Sequence, residues 1–182
     1  MQVSNLAAEA AIKIGANAQL VRTGALYHDI GKLGNPAFFT ENQSGVNPHQ
    51  AISYEQSAQI IIQHIKDGLK MADKLMLPQA IKDFISTHHG KSKTKYFYNS
   101  FKNEFPDFKI NEESFTYPGP NPFTKETAIL MMADSVEAAS RSLKEYTEES
   151  IAKLVNNIID GQIADGLMKD APISFRDVET IK

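Results

Sequence analysis

Apolar residues recur at helical spacing along almost the whole 182-residue sequence, and this periodicity limits the fold more than any other feature. No pair of alternating apolar and polar stretches flanks a tight turn, so the sequence carries no β-hairpin signal. We therefore predict a single all-α domain over residues 1–182. The predicted helices span residues 3–14, 18–30, 53–76, 78–89, 96–105, 125–143 and 147–168, with a short helix after residue 174.

Several predicted helices begin at a residue that typically caps a helix N-terminus, because its side chain accepts a hydrogen bond from the first turn. The predicted caps are Ser53, Thr124, Thr147 and Ser174. Residues 32–52, by contrast, form a long polar segment with Asn, Pro and Gly. A loop of that length in a compact domain is often functional, so we interpret this segment as a functional loop.

The composition excludes several classes of protein and site. The net charge is only −3 and the lysines are scattered, which argues against a nucleic-acid polymer as partner. There are no cysteines, so any metal ligands must be His, Asp or Glu. No apolar run approaches the ~20 residues that span a bilayer, and the first residues do not resemble a signal peptide. We expect no membrane contact by this segment itself.

Polar residues within apolar helices, or at their ends, indicate a shared partner. Asp134 lies in the apolar stretch "AILMMADSV", where burying an unpaired carboxylate costs several kcal/mol. Either Arg141, two turns later, or a metal ion can satisfy it. Each such residue alone also fits a structural role, but four histidines and two acids exceed what a small helical core needs. We interpret the set as ligands of one or two metal ions; its members are His28, Asp29, His64, His88, His89 and Asp134.

The adjacency of His28 and Asp29 favours two metal ions over one. Neighbouring side chains on a helix point ~100° apart, so both reach one centre only if it lies beyond the helix end. A carboxylate can bridge two ions ~3.5–4 Å apart, whereas a neutral imidazole cannot. We therefore predict that Asp29 lies between two ions.

These residues, in this order, resemble the HD-domain metal phosphohydrolases. The matching features are "HDIGK", a single histidine on a helix, a later "HH", and "AD" in an apolar helix. Four stretches, "FFTENQSGVNPH", "HHGKSKTKYFY", "YPGPNPFTKE" and "ILMMADSVEAASRSL", are similar to the seven-transmembrane HD proteins of the PgpH type, which hydrolyse cyclic di-AMP. The resemblance covers nearly the whole chain and implies an HD-domain helical bundle.

The resemblance implies a role for each matching residue. A first metal ion would be bound by His28, Asp29 and Asp134, and a second by Asp29, His64, His88 and His89. Lys32 would act beside Asp29 in catalysis by facing a phosphate or the attacking water. In that family the two metals are iron or manganese, and a water activated by both ions opens cyclic di-AMP to the linear pApA.

Two further residues are candidate substrate contacts besides Lys32. His49, in the long loop, either contacts the substrate or protonates the leaving oxygen, or else is a solvated loop histidine. Arg141 either adds a positive charge near a phosphate or pairs with Glu137 one helical turn away. The sequence leaves these alternatives open.

One ligand of the family pattern has no counterpart in this sequence. The family carries a further histidine upstream on the first helix, and here no histidine precedes His28. The helical pattern also begins within the first residues without a cap. We therefore expect the chain to be a fragment of a longer membrane-anchored protein whose HD domain is cytoplasmic, and we expect its first metal site to be depleted.

Other nucleotides and a non-catalytic role are the alternatives. Cyclic di-GMP phosphodiesterases of the HD-GYP type carry "GYP" after the histidine pair, where this chain reads "HHGKSKTKYF". HD enzymes acting on guanosine tetraphosphate or deoxynucleoside triphosphates share the core, but their flanking motifs match poorly. A nucleotide-binding HD sensor without activity would have lost ligands, whereas here every ligand from His28 onward is present. The sequence leaves the oligomeric state open.

Overall fold

The chain folds into a helical bundle, seen in a computed structural model that describes residues 2–43 and 45–182. Within those residues the α-helices are α1 (Gln2–Lys13), α2 (Ala18–Tyr27), α3 (Tyr54–Lys74), α4 (Gln79–Thr87), α5 (Lys95–Glu104), α6 (Lys125–Ser140), α7 (Glu148–Ala164) and α8 (Phe175–Ile181). The same residues contain one isolated β-bridge, between Lys93 and Thr116, and no strand. The all-α prediction is confirmed. No helix in the described part of the chain is long and apolar enough to cross a bilayer.

All four predicted N-caps form in the structure. Ser53, Thr124, Thr147 and Ser174 each accept a hydrogen bond from a backbone N–H in the first turn, and each cap is completed as a reciprocal capping box. Such caps typically contribute about 1 kcal/mol each. The helix starts were therefore readable from local sequence.

Three predicted helix ends are wrong. The helix predicted to run to residue 143 ends at Ser140, with Arg141 as its C-cap. The other two ends differ from the prediction for a common reason. The helix predicted to run to residue 30 ends at Tyr27, with His28 as its C-cap, and a 3-10 turn follows over Ile30–Gly34. The helix predicted to reach residue 168 ends at Ala164, where Gly166 adopts a φ of +70°. In both places a turn interrupts an apolar pattern that continues past it, so periodicity alone overestimates the helix.

The predicted loop of residues 32–52 is more ordered than expected. Apart from Ser44, which lies outside the described residues, it is largely built from 3-10 turns at Pro36–Phe38, Thr40–Asn42 and Pro48–Ala51. Phe39 between the first two turns is 5% exposed. The segment is thus anchored to the bundle through an apolar side chain.

Helix α6 is the central element of the core. Seven consecutive residues from Thr127 to Ala133 are buried. Their side chains pack on one side against α1, α2 and α4, and on the other against α7 and α8. Burial of each large apolar side chain contributes roughly 1.5–3 kcal/mol. Asp134 follows this run directly, so the packing of α6 determines where its carboxylate lies.

Glycines allow the turn after α2 to lie directly against α3. A Cβ on Gly31 would lie 1.8 Å from the carbonyl oxygen of His64 and 2.5 Å from the backbone nitrogen of Gly68. No side chain larger than hydrogen permits that approach. The contact brings Asp29, two residues earlier, next to the middle of α3.

The cap of α8 is expected to be sensitive to acid. The backbone N–H of Ser174 and the ammonium of Lys125, 3.0 Å from the carboxylate, lower the pKa of Asp177 from 3.8 to about 2. Because the folded-state pKa is below the unfolded one, this stabilisation is complete above about pH 4 and is lost as the pH falls towards about 2. Urea unfolding across that range should show a weaker acid dependence for Asp177→Asn, whereas exposed Asp107→Asn should match the wild type. An unchanged acid dependence in Asp177→Asn would contradict this assignment.

Candidate metal centre

Six side chains with metal-binding atoms converge from four parts of the bundle. The end of α2 supplies His28 and Asp29, α3 supplies His64, the end of α4 supplies His88 and His89, and α6 supplies Asp134. The imidazole rings lie within about 4 to 5 Å of a neighbouring ring. The structure thus brings together all six predicted ligands, which are far apart in sequence.

Three of the imidazoles are oriented by their own helices. Nδ1 of His28 lies 2.7 Å from the carbonyl oxygen of Ala25, and Nδ1 of His88 lies 3.0 Å from that of Ile85. His64 makes the same kind of bond to Ile61. Since a carbonyl oxygen only accepts, Nδ1 carries the hydrogen in each ring. When a ring is neutral, its Nε2 therefore carries a lone pair on the side of the other rings, which is the tautomer that metal binding through Nε2 requires.

The lone pairs of His64 and His88 are close enough to require a cation between them. Nε2 of His64 and Nε2 of His88 are 3.1 Å apart, and both side chains are almost fully buried. Two neutral acceptors at that distance repel each other in a medium of low dielectric constant. A proton or a metal ion between them converts the repulsion into binding. This geometry fits the predicted metal site independently of any resemblance.

Asp29 faces two sets of ligands with its two oxygens. Oδ2 lies 3.1 Å from Nε2 of His28, while Oδ1 lies 3.6 Å from Nε2 of His64 and 3.6 Å from Nε2 of His88. A carboxylate that bridges two ions has this arrangement. The two oxygens of Asp29 thus face different imidazoles, as a bridging carboxylate would, and the bridging role of Asp29 stays a prediction.

Asp134 completes the side of the site that contains His28. Its Oδ1 lies 3.4 Å from Nε2 of His28. Yet Nε2 has no partner with hydrogen-bond geometry among the described residues, although two carboxylates are close. Ligands bound at ~2.1 Å to one tetrahedral ion lie roughly 3.4 Å apart without pointing at one another. The spacing around His28 matches this pattern better than it matches an ion pair.

The two sides of the site differ in charge. Burial opposes protonation of His28, but the carboxylates of Asp134 and Asp29 outweigh it and raise its pKa to about 10. Burial, together with His88, lowers the pKa of His64 to about 4. Burial and the neighbouring imidazoles also lower the pKa of His89. His64 and His89 are therefore neutral near pH 7, as metal ligation requires.

The ligands do not separate cleanly into the two sets that the resemblance implies. His64, His88 and His89 form one group able to hold an ion, and His28, Asp29 and His88 form another. His88 thus lies between the groups, whereas the family pattern assigns it to the second metal alone.

Tyr117 holds the plane of the His89 ring. The two rings stack with centroids 4.2 Å apart and an interplanar angle of 24°. Tyr117 is 7% exposed, and burial raises the pKa of its hydroxyl, so it stays protonated. It comes from the irregular segment before α6, which thereby contributes to the site.

Lys32 lies at the edge of the metal site. Its ammonium is 2.8 Å from Oδ2 of Asp29 and 2.7 Å from Oε1 of Glu41. The same ammonium is 5.2 Å from the ring centroid of Phe39. Lys32 thus lies beside Asp29, and its role towards a phosphate or the attacking water stays a prediction.

His49 and Arg141, the two other candidate substrate contacts, each have a partner in the protein. Nε2 of His49 lies 2.9 Å from the carbonyl oxygen of Phe38, and its ring packs against Phe97. His49 therefore ties two turns of the 32–52 segment together, and its role towards a substrate stays a prediction. Arg141 pairs with Glu137 at 2.9 Å, as the second alternative predicted, and thus does not serve as the partner of Asp134.

A large cavity opens beside the candidate metal ligands. Its volume is about 1210 Å³, and its walls include His88, His89, Asp134, Glu41 and Tyr117. Residues of α6 and α7, among them Ser135 and Gln162, also line the cavity. Sites for drug-sized ligands span ~300–1,000 Å³, so this cavity has room for a molecule the size of a dinucleotide.

Comparison with known families and structures agrees with this geometry. The protein-family model described as "HD domain" matches residues 1–139 of this sequence. The chain belongs to the HD-domain family. HD domains are metal-dependent, so the family supports a metal ion at the cluster without identifying it.

Relatives of this HD domain are similar along its whole length. It is 44% identical to the cyclic-di-AMP phosphodiesterase PgpH of Listeria monocytogenes and 42% identical to that of Bacillus subtilis, in both cases over 100% of this chain and 25% of the relative. The chain thus spans about a quarter of the length of these curated relatives. A crystal structure of the L. monocytogenes phosphodiesterase PgpH HD domain in complex with cyclic-di-AMP superposes with a TM-score of 0.94, at 44% identity, over 100% of this chain and 84% of that one.

Two contacts of the candidate site were not predicted from the sequence, namely that of Glu41 with Lys32 and that of Tyr117 with His89. Glu41 lies in "FFTENQ", which entered only as part of a family resemblance, and no local pattern indicates that it pairs with Lys32. Tyr117 lies beside a proline in an irregular segment, where no periodicity indicates burial. Both contacts join segments that are distant in the chain.

Metal binding should stabilise this HD domain. An ion that binds only the folded state at a hundred times its Kd adds about 2.7 kcal/mol. We expect Mn²⁺ to raise the Tm in calorimetry and EDTA to reverse the rise. His64→Leu should lose most of this response, whereas His49→Leu, outside the ligand set, should keep it. A Tm that is insensitive to Mn²⁺ in the wild type would contradict the site.

Proposed function

We propose that this HD domain is a metal-dependent phosphodiesterase that opens cyclic di-AMP to linear pApA. The central observation is that one oxygen of Asp29 faces His28 and the other faces His64 and His88, beside a cavity of dinucleotide size. The 44% identity to a phosphodiesterase HD domain whose crystal structure contains cyclic-di-AMP supports this choice of substrate.

The side chains of the site would divide the work as follows. His28, Asp29 and Asp134 hold one divalent ion, and His64, His88 and His89 hold the other together with Asp29. Bound ions of this kind supply an activated water and stabilise the charge that develops on phosphorus.

Other side chains and the backbone orient the ligands and contribute charge. The Nδ1–H bonds to backbone carbonyls keep the imidazoles oriented, so that the ligands need no reorganisation during the reaction. Lys32 supplies a positive charge at the cavity edge for a phosphate oxygen. The chain has no cysteine, and the reaction needs no protein nucleophile.

We further propose iron or manganese as the metals, with unequal occupancy of the two sites. The second site offers three imidazoles and a carboxylate, while the first offers one imidazole and two carboxylates. Nitrogen-rich ligand sets favour transition metals, so the first site is expected to be the weaker and the depleted one. The PgpH-type resemblance also supports a cytoplasmic location within a membrane-anchored parent protein.

A substrate panel tests the proposed reaction. The chain is loaded with Mn²⁺ and incubated separately with cyclic di-AMP, cyclic di-GMP, guanosine tetraphosphate and a deoxynucleoside triphosphate, and products are separated by chromatography. We expect pApA from cyclic di-AMP and slower turnover of the others. Faster turnover of another nucleotide would change the assigned substrate and leave the assignment as a metal-dependent phosphohydrolase. Tight binding of cyclic di-AMP without turnover would instead favour a sensor module.

A further inference from the structure

Lys32 already binds the carboxylate oxygen of Asp29 that a metal ion at the first site would need. Its ammonium is 2.8 Å from Oδ2 of Asp29. That same oxygen is 3.1 Å from Nε2 of His28 and so faces the first metal site. An ammonium and a metal ion both require the lone pairs of this oxygen. Loading the first site must therefore weaken or break the bond between Lys32 and Asp29.

A lysine displaced from Asp29 needs another anion. The side chain of Lys32 is 24% exposed, and leaving an ammonium unpaired in a largely buried place is costly. Glu41 offers the alternative, since its Oε1 is already 2.7 Å from the ammonium. With this second carboxylate in place, Lys32 keeps a partner when it releases Asp29.

The position of Glu41 is fixed by the segment that carries it. Glu41 lies in the turn Thr40–Asn42, directly after the buried Phe39, whose ring meets that of His64 edge-on at 5.7 Å. The preceding turn is bonded through the carbonyl oxygen of Phe38 to His49. Glu41 is thus presented to Lys32 by an anchored segment.

We propose that Glu41 is a positioning residue that retains Lys32 at the edge of the site and thereby eases loading of the first metal ion. The proposal rests on the metal site of the proposed function. It assigns to Glu41 an effect on metal affinity that acts through Lys32, distinct from the general attraction of any nearby carboxylate for a cation.

A double-mutant cycle separates these two effects. Mn²⁺ is titrated calorimetrically into the metal-free wild type, Glu41→Gln, Lys32→Met and the double variant, without nucleotide. Coupling between groups in contact predicts that Glu41→Gln weakens the weaker Mn²⁺ site about tenfold. Lys32→Met should tighten that site, since the competing ammonium is gone. In the Lys32→Met background, Glu41→Gln should then change the affinity by no more than about twofold.

The ion pair of Lys82 with Asp73 is the matched control for Lys32 with Glu41. Its atoms are 2.6 Å apart, and the side chain of Lys82 is 22% exposed. Lys82→Met and Asp73→Asn should leave the Mn²⁺ affinity unchanged in the same titration. Circular dichroism confirms that each variant is folded, and Glu41→Asp, which keeps the charge, should retain part of the wild-type affinity. An equal effect of Glu41→Gln in both backgrounds, or no effect in either, would overturn the proposal. Because no substrate is present, a chain that shows the expected cycle but fails to hydrolyse cyclic di-AMP would refute the reaction and leave this inference standing.

Discussion

Asp29→Asn is expected to remove metal from both sites and to reduce kcat/KM for cyclic di-AMP by roughly 10³-fold or more. Asparagine keeps the shape but replaces one ligand oxygen with an amide nitrogen that donates hydrogen bonds and cannot bind a metal ion. Whichever way the amide turns, the ion beside its nitrogen loses a ligand atom, and the ion beside its oxygen loses the negative charge of Asp29. Metal ions contribute several kcal/mol to the stabilisation of such transition states, and each 1.36 kcal/mol corresponds to a factor of ten in rate.

Asp67→Asn is the matched control for this prediction. Asp67 lies on α3, and its side chain is 24% exposed, compared with 28% for Asp29. Its partners are Gln63 and Lys70, not a metal ligand. It should retain wild-type metal content and activity. If Asp29→Asn still bound two ions with activity within tenfold of the wild type, Asp29 would not be the bridging ligand.

Gly31→Ala is expected to destabilise the domain by about 3 kcal/mol and to disrupt the metal site. The added Cβ would lie 1.8 Å from the carbonyl oxygen of His64, so the turn after α2 must move away from α3. Steric overpacking against backbone atoms, which cannot change rotamer, belongs at the upper end of the usual 1–3 kcal/mol. Because Asp29 lies on that turn, its distance to His64 and His88 must increase. Urea unfolding and Mn²⁺ affinity measure the two effects separately.

Gly161→Ala is the same substitution at another glycine, and there we expect it to stabilise the domain. Gly161 lies inside α7, and no atom lies within 4 Å of a Cβ built on it. Alanine in place of a helical glycine typically stabilises by about 0.5–1 kcal/mol. Gly161→Ala should therefore raise stability without changing metal affinity. Wild-type stability and Mn²⁺ affinity in Gly31→Ala would show that the contact between the turn and α3 does not position Asp29.

The parts of the fold that depend on neighbouring residues in the chain were predictable. Capping at Ser53 or Thr147 involves residues three apart, and the pair of Arg141 with Glu137 involves residues four apart on one helix. The clustering of the candidate ligands was predictable for another reason, since buried polar groups need partners and Asp134 has few within reach. Each of these conclusions uses either local spacing or the cost of burial.

The parts that depend on contacts between distant segments were not predictable. The end of α2 at Tyr27 follows from the approach of Gly31 to α3, which no periodicity encodes. The pairing of Lys32 with Glu41 likewise depends on how the intervening turns fold back. The sequence indicated that Asp29 bridges two centres, but the distances from each of its oxygens come only from the packing of three helices.

Metal stoichiometry tests the central claim, a two-metal site at the six clustered side chains, most directly. The metal-free chain is titrated with Mn²⁺ in a calorimeter, and the bound metal is quantified by elemental analysis after desalting. We expect two ions per chain at saturation, with the tighter site lost in His64→Leu and both lost in Asp29→Asn. Absence of bound metal under saturating Mn²⁺ or Fe²⁺, in a folded wild-type chain, would contradict the claim.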